Sequence, residues 1–216
     1  MIYDLSPPLG PGLGVWPGDT PLSRRVACEI GRGANITLSS ITTTLHLGAH
    51  ADGPNHYAHP APGVGERSLA HYLGACQVID APVARGSRVG PGDLRQALLG
   101  RAGGAERVLL KTGTFPNPMR WNADFAGVSV ELVEVLGAAG VITIGLDTPS
   151  VDVQESKDLP AHRAIAARDM AILEGLVLDA VPAGVYELIA LPLRLVGMDA
   201  SPVRAVLRTL TASRSP

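Results

Sequence analysis

A chain of 216 residues, 46% hydrophobic and 18% charged, has the length of one domain and enough apolar content for a core without disulfide or structural-metal staples. With 18 Lys and Arg against 20 Asp and Glu, it is neither a disordered polyelectrolyte nor a basic nucleic-acid binder. No stretch approaches the roughly 18 uninterrupted apolar residues of a membrane span. A single domain over residues 1–216 is expected, with neither nucleic acid nor a membrane as its partner. Met1-Ile2-Tyr3-Asp4 has neither the basic nor the apolar region of a secretory leader, so a cytoplasmic location is expected too. The 25 glycines and 18 prolines beside 4% aromatic residues predict long loops held by an aliphatic scaffold.

From Ser23 to Leu45 the sequence alternates and is rich in β-branched residues, which predicts a two-stranded hairpin turning at Arg32-Gly33. Cys28 in this stretch and Cys76 further on form no CxxC pair and read as small core residues. Next comes HLGAHADGPNHYAH, which holds four of the six histidines of the chain, His46, His50, His56 and His59. His46, His50 and Asp52 are ligand types that suit Zn²⁺ or Mn²⁺, with no thiolate to favour a structural site. On a flat strand His46 and His50 would stand roughly 13 Å apart at about 3.3 Å per residue, too far to share an ion. The strand must therefore end near Leu45 and the chain must bend through Gly48, which can turn tightly for lack of a Cβ. This reading makes the metal-bearing element a structured loop at a strand end. The zincin motif is excluded, because Leu47 rather than Glu follows the first histidine. His59 and His71 read as surface or supporting residues and stay outside the site.

Ala75–Ala81, Arg107–Lys111, Val141–Leu146 and Tyr186–Leu191 are short apolar runs suited to buried strands. Between them, Asp93 is expected to cap a helix reaching Gly100, and Ser129 a helix through Leu136 that stops at Gly137. A third helix is expected over Pro160–Met170, with Pro160 tolerated in its first turn. Strand, helix and strand from Cys76 to Leu146 imply βαβ units and a partly parallel sheet. With the hairpin before it, this makes the fold class α/β, a mixed central sheet with helices. Pro202–Leu210 reads equally as strand or helix. Asp147, after an apolar strand, reads either as an orienter of a metal-bound histidine or as a cap for the next turn.

The run His46 to His56 resembles the HxGTHxDxPxH motif of the cyclase family of metal-dependent hydrolases, and specifically its bacterial kynurenine formamidase branch. Ten of eleven positions are compatible, with Ala49 in place of threonine. Two further blocks are similar to that branch. One runs from Gly145 to Asp152 and continues through Ser156-Lys157 to Leu159-Pro160-Ala161-His162. The other joins Ala190–Leu195 to Ser201–Ala205. With Asp4-Leu5-Ser6 and Val15–Asp19 at the start, the resemblance reaches from the first residues to Leu207. It implies the swivelling β/β/α form of the α/β class and a homodimer. It also implies a site of two Zn²⁺ per subunit, Mn²⁺ being the other ion that such ligands accept. The metal ligands implied are His46, His50, Asp52, His162 and Glu174, with His56 as the acid/base and Trp16 contacting substrate. The implied activity is hydrolysis of N-formyl-L-kynurenine to L-kynurenine and formate in tryptophan degradation. The alternative is a related hydrolase acting on a cyclic amide such as isatin.

The residue chemistry agrees with these implications at several points. A metal that activates water removes the need for a side-chain nucleophile, and the chain shows no GxSxG elbow and no nucleophilic cysteine setting. Glu174 is a lone carboxylate among apolar neighbours and needs a cationic partner. A non-catalytic scaffold that used the cluster to staple loops would show a closed ligand sphere, and His56 is spare once the ligands are counted.

Overall fold

The computed structural model describes residues 1–94 and 104–210. Nine strands form one mixed sheet: β1 (Ile2–Asp4), β4 (His50–Asp52), β5 (Leu73–Asp80), β7 (Arg107–Lys111), β9 (Thr143–Leu146), β10 (Ala171–Glu174), β11 (Gly184–Ile189), β12 (Ala200–Pro202) and β13 (Val206–Thr209). Their spatial order is β1-β13-β11-β5-β7-β9-β10-β4-β12. The middle strands β5, β7, β9 and β10 pair in parallel, and the strands on either side pair antiparallel. The expected mixed α/β sheet is therefore present, and the open Pro202–Leu210 segment resolves as strand β13.

Period-two alternation sends neighbouring side chains of the parallel strands into two different cores. Val108, Leu110, Ile144 and Ile172 face the helices α1 (Val130–Ala138) and α2 (Pro160–Ala167). Leu109 and Leu173 face the other way, into a core shared with Ala51 from one end of the sheet and Leu188 and Leu207 from the other. Strands so far apart in the order can share one core only if the sheet curls. Helix α1 is capped as expected, with Ser129 Oγ accepting the Leu132 N–H at 3.2 Å. Its stop falls at Gly140 (φ +82°), whereas Gly137 lies inside the helix, where a Cβ would stand 2.3 Å from Arg168 Cδ. Helix α2 ends at Ala167, three residues before the expected Met170. The helix expected from Asp93 to Gly100 lies, beyond Leu94, outside the described residues. The short strands β6 (Arg88–Val89) and β8 (Gly127–Val128) pair in parallel as a small separate sheet.

Strands β2 (Ser23–Cys28) and β3 (Leu38–Thr42) form the expected hairpin, and it is a two-stranded sheet of its own. None of the residues from Ser23 to Thr42 is buried. Cys28 is accordingly half-buried on this arm and is not the core residue that its apolar neighbours suggest, whereas Cys76, within β5, is buried. No helix among the described residues is long and apolar enough to cross a membrane.

Candidate metal centre

Strand β3 stops at Thr42, and the chain turns at Gly48 (φ +56°), as the spacing of His46 and His50 demands. The element after the bend differs from the expected loop. His50 and Asp52 belong to β4, a three-residue strand inside the main sheet, and alternation puts them on one face while Ala51 enters the core. The ladder then brings in the next expected ligand, because Glu174 is the register partner of His50 across β10 and β4. The turn after Glu174 passes so close that a Cβ on Gly175 (φ +64°) would stand 2.1 Å from Gly48 O. Glycine at both positions lets the two turns touch.

His162 arrives from the first turn of α2. Leu159 before it has a left-handed φ of 45° and offers no side-chain cap. Asp152 takes over that function and adds another. Its carboxylate accepts the Ala161 and His162 N–H groups, each at 3.2 Å, and lies 2.8 Å from His162 Nδ1. One aspartate therefore starts the helix and orients the ring, leaving Nε2 to face the cluster.

The facing atoms converge. His46 Nδ1 lies 3.1 Å and His50 Nε2 3.4 Å from Asp52 Oδ1, and His50 Nε2 lies 3.2 Å from Glu174 Oε2. His162 Nε2 lies 3.7 Å from Asp52 Oδ2 and 3.8 Å from Glu174 Oε1. Two of the three groups among the described residues that could hold a metal result, His46/His50/Asp52 and Asp52/His162/Glu174, with Asp52 common to both, and the third, His46/His56/Asp199, lies at the half-exposed side of His46. His50 Nε2 and both Asp52 oxygens are buried, yet none of them makes a hydrogen bond. Buried polar atoms that crowd together without pairing are costly, and N and O ligands at these separations suit a divalent cation. The donor set fits a metal.

Charge is concentrated accordingly. Burial alone would lower both His46 and His162, but contacts with Asp52, Glu174 and Asp199 hold His46 up at about 9, and contacts with Asp152 first, then Asp52 and Glu174, hold His162 up at about 10. Burial would raise Asp52, and the His162 and His46 contacts instead keep it well below the usual carboxylate range.

A cavity of about 310 Å³ opens over the cluster at the carboxyl ends of β9 and β10, with Glu174, His50 and His162 in its lining. Crevices at the ends of parallel strands are the usual ligand sites of such sheets. His56 stands exposed at its side, 4.2 Å from the His46 ring and 6.2 Å from that of His162. Burial of part of its ring, reinforced by His46 and opposed by Asp52, lowers its pKa below 6.5. Trp16 lines the same cavity, 37% exposed, edge-on to Trp121 at 5.4 Å and to Phe125 at 6.0 Å. Six of the seven residues singled out from the sequence thus line one cavity, and the seventh, Asp52, lies buried among His46, His50 and His162. Asp147 lines it too, but it orients no histidine. Its carboxylate accepts bonds from Thr112 and Gly113 at 2.7–3.0 Å and ties the end of β7 to β9. Asp152, Asp199, Tyr57 and Trp121 escape sequence reasoning. Tyr57 packs 5.2 Å from the His162 ring with its buried hydroxyl unpaired.

The Cyclase family model matches residues 3–153, which is more than half of the chain and contains the whole His46–His56 run. The chain belongs to the cyclase family. The kynurenine formamidase of Sphingopyxis alaskensis (strain DSM 13593 / LMG 18877 / RB2256) is 48% identical over 210 residues, covering 97% of this chain and 98% of that protein. That span includes His162 and Glu174, which lie beyond the part matched by the family model. Among solved structures, a potential metal-dependent hydrolase with cyclase activity superposes with TM-score 0.82 at 26% identity, covering 96% of both chains. Isatin hydrolase A from Labrenzia aggregata, bound to benzyl benzoate, superposes with TM-score 0.79 at 22% identity, covering 97% of this chain and 94% of that one. At that identity the likeness speaks for the cyclase fold alone.

Proposed function

We propose that the protein is a metal-dependent amidohydrolase that converts N-formyl-L-kynurenine and water into L-kynurenine and formate. The observation that carries the substrate is the 48% identity to a kynurenine formamidase across 97% of the chain. The cluster supports the reaction class independently. Asp52 and Glu174 each turn one oxygen towards His50 and the other towards His162, so both carboxylates would help to hold the metal. His46 and His50 would serve one ion and His162 the other. We propose Zn²⁺ at both positions, with Mn²⁺ as the alternative that the same ligands accept. A bound ion there supplies a water of pKa about 7 and a Lewis acid for the formyl oxygen.

The chain's own residues do the rest. His56, the imidazole at the cavity left over from these two triplets, has its pKa lowered by burial, which favours the neutral form that can accept a proton. It takes a proton from the attacking water and returns it to the anilide nitrogen as the C–N bond breaks. Trp16, held edge-on by Trp121 and Phe125, offers its ring to the substrate's aryl group. The cavity is at the small end of ligand-site sizes and suits one ring with a short side chain.

The same reading includes a single domain over residues 1–216, supported by β1 and β13, from opposite ends of the chain, pairing in one sheet. It includes a cytoplasmic location, which the two free cysteines suit. It also includes a homodimer. An isolated two-stranded hairpin is marginal in water, yet the β2–β3 arm exposes Val26, Ile30, Ile36, Leu38 and Ile41. A two-fold pairing of two copies covers both arms at once.

Offering N-formyl-L-kynurenine and isatin to the purified protein in one assay tests the substrate. A higher kcat/KM for the formamide is expected. Preferential opening of the isatin ring would transfer the site to the cyclic-amide alternative.

A further inference from the structure

Asp199 stands in the loop before β12, and its Oδ2 lies 3.1 Å from His46 Nε2. One ligand atom from each of Asp199, His46 and His56 falls within 4.8 Å of the others. Although its carboxylate is 48% exposed, its backbone is tightly held. Asp199 O accepts the Gly53 N–H at 2.7 Å, and Met198 O accepts the Val64 N–H at 2.9 Å. Asn55 Nδ2 donates to Gly197 O at 3.1 Å, and Gly197 N donates to Glu66 Oε1 at 3.0 Å. The next residue, Ala200, is the register partner of Asp52. The loop is therefore stitched on one side to the segment carrying His56 and on the other to the strand carrying His50 and Asp52.

An imidazole gives a lone pair to a cation from one nitrogen only while the other keeps its proton, and the partner of the second nitrogen decides which is which. His46 Nδ1 faces inward, to buried Asp52, and Nε2 faces outward, to Asp199. A carboxylate only accepts, so Asp199 keeps the proton on Nε2 and leaves the Nδ1 lone pair directed at the cluster. The His56 ring leans on His46 at 43°, so the ring that Asp199 fixes is also the wall against which His56 rests.

We propose that Asp199 is a positioning residue of this site, fixing His46 with Nδ1 towards Asp52 and limiting the swing of His56 at the cavity mouth. The inference rests on the metal-dependent reading given above. Its first test needs no substrate. Metal-free protein is titrated with Zn²⁺ against a chromophoric chelator, with far-UV circular dichroism to check that each variant is folded. Asp199→Ala should bind Zn²⁺ about 10–100-fold more weakly. Asp199→Asn, whose Oδ1 still accepts the Nε2–H, should recover most of that loss. Wild-type affinity in Asp199→Ala, or equal losses in Ala and Asn, would overturn the orienting role whatever the substrate is. At saturating Zn²⁺, kcat of Asp199→Ala on the formamide should remain reduced with KM little changed, and an unchanged kcat would overturn the part concerning His56. Inactivity of the wild-type protein towards the formamide would defeat the functional reading but leave the Zn²⁺ titration decisive for Asp199.

Discussion

At His46 two carboxylates meet opposite edges of one ring, Asp52 from within and Asp199 from outside. Such a ring holds a proton strongly until a cation displaces it. His46 and His162 lie above the ordinary 6.5, at about 9 and about 10. Their ion pairs therefore stabilise the metal-free fold fully below about pH 6.5, and that contribution is lost as pH rises through 9–10. Metal binding runs the other way, because the ligands must shed protons. Zn²⁺ affinity should climb from pH 6 towards pH 9 with protons released, read by calorimetry in buffers of different ionisation enthalpy, and a flat profile would contradict the charge state assigned here. The two histidine roles separate by substitution. His56→Ala should lose about 10²–10⁴-fold in kcat while keeping its metal, whereas His50→Ala should lose metal, as elemental analysis with kinetics would show. At this scale His46, His50, Asp52 and His56 are legible in the sequence because they crowd into eleven residues with Gly and Pro between them. Asp152 and Asp199 are not, since each is an ordinary aspartate until folding brings it 2.8 Å from His162 or 3.1 Å from His46.

Single elements carry the chemistry in short pieces. Strand β4 has three residues, too few for a period-two pattern to stand out, so the sequence suggests a loop where there is a strand. The consequence is mechanical, because a strand paired on both sides by β10 and β12 fixes His50 and Asp52 more firmly than a loop would. Helix α2 depends on Asp152 in two ways, and two variants separate them. Asp152→Asn keeps an acceptor for the helix N–H groups, while Asp152→Ala removes it. Thermal melts of the metal-free protein should show Ala destabilised by about 1 kcal/mol relative to Asn, whereas both should bind metal more weakly, because the Asp152 carboxylate facing His162 Nδ1 is fully buried and its charge, unlike that of half-exposed Asp199, is not screened by solvent. Equal stability would mean that the cap is unimportant. The longer apolar runs, β5, β7, β9 and β11, are read correctly within a few residues, and for β7 and β9 burial on both faces leaves an unbroken hydrophobic signature.

For the whole molecule, the curl of the sheet is what the sequence conceals, because it depends on which strands neighbour one another and not on any one segment. The curl lets Ala51 share a core with Leu188 and Leu207, and so seats the ligand strand against the far end of the sheet. The exposed β2–β3 arm is the other feature of this scale. Ile41→Asp, on a residue 64% exposed, should convert a dimer to a monomer in light scattering while leaving the monomer folded, and an unchanged mass would remove the arm from the interface. The central claim, that the cluster is a metal-dependent formamide-cleaving site, is tested most directly by following kynurenine absorbance as the protein acts on N-formyl-L-kynurenine, before chelation, after it, and with Zn²⁺ restored. Turnover that disappears with the metal and returns with it is the predicted result. Turnover that persists in fully chelated protein, or none with Zn²⁺ bound, would contradict the account.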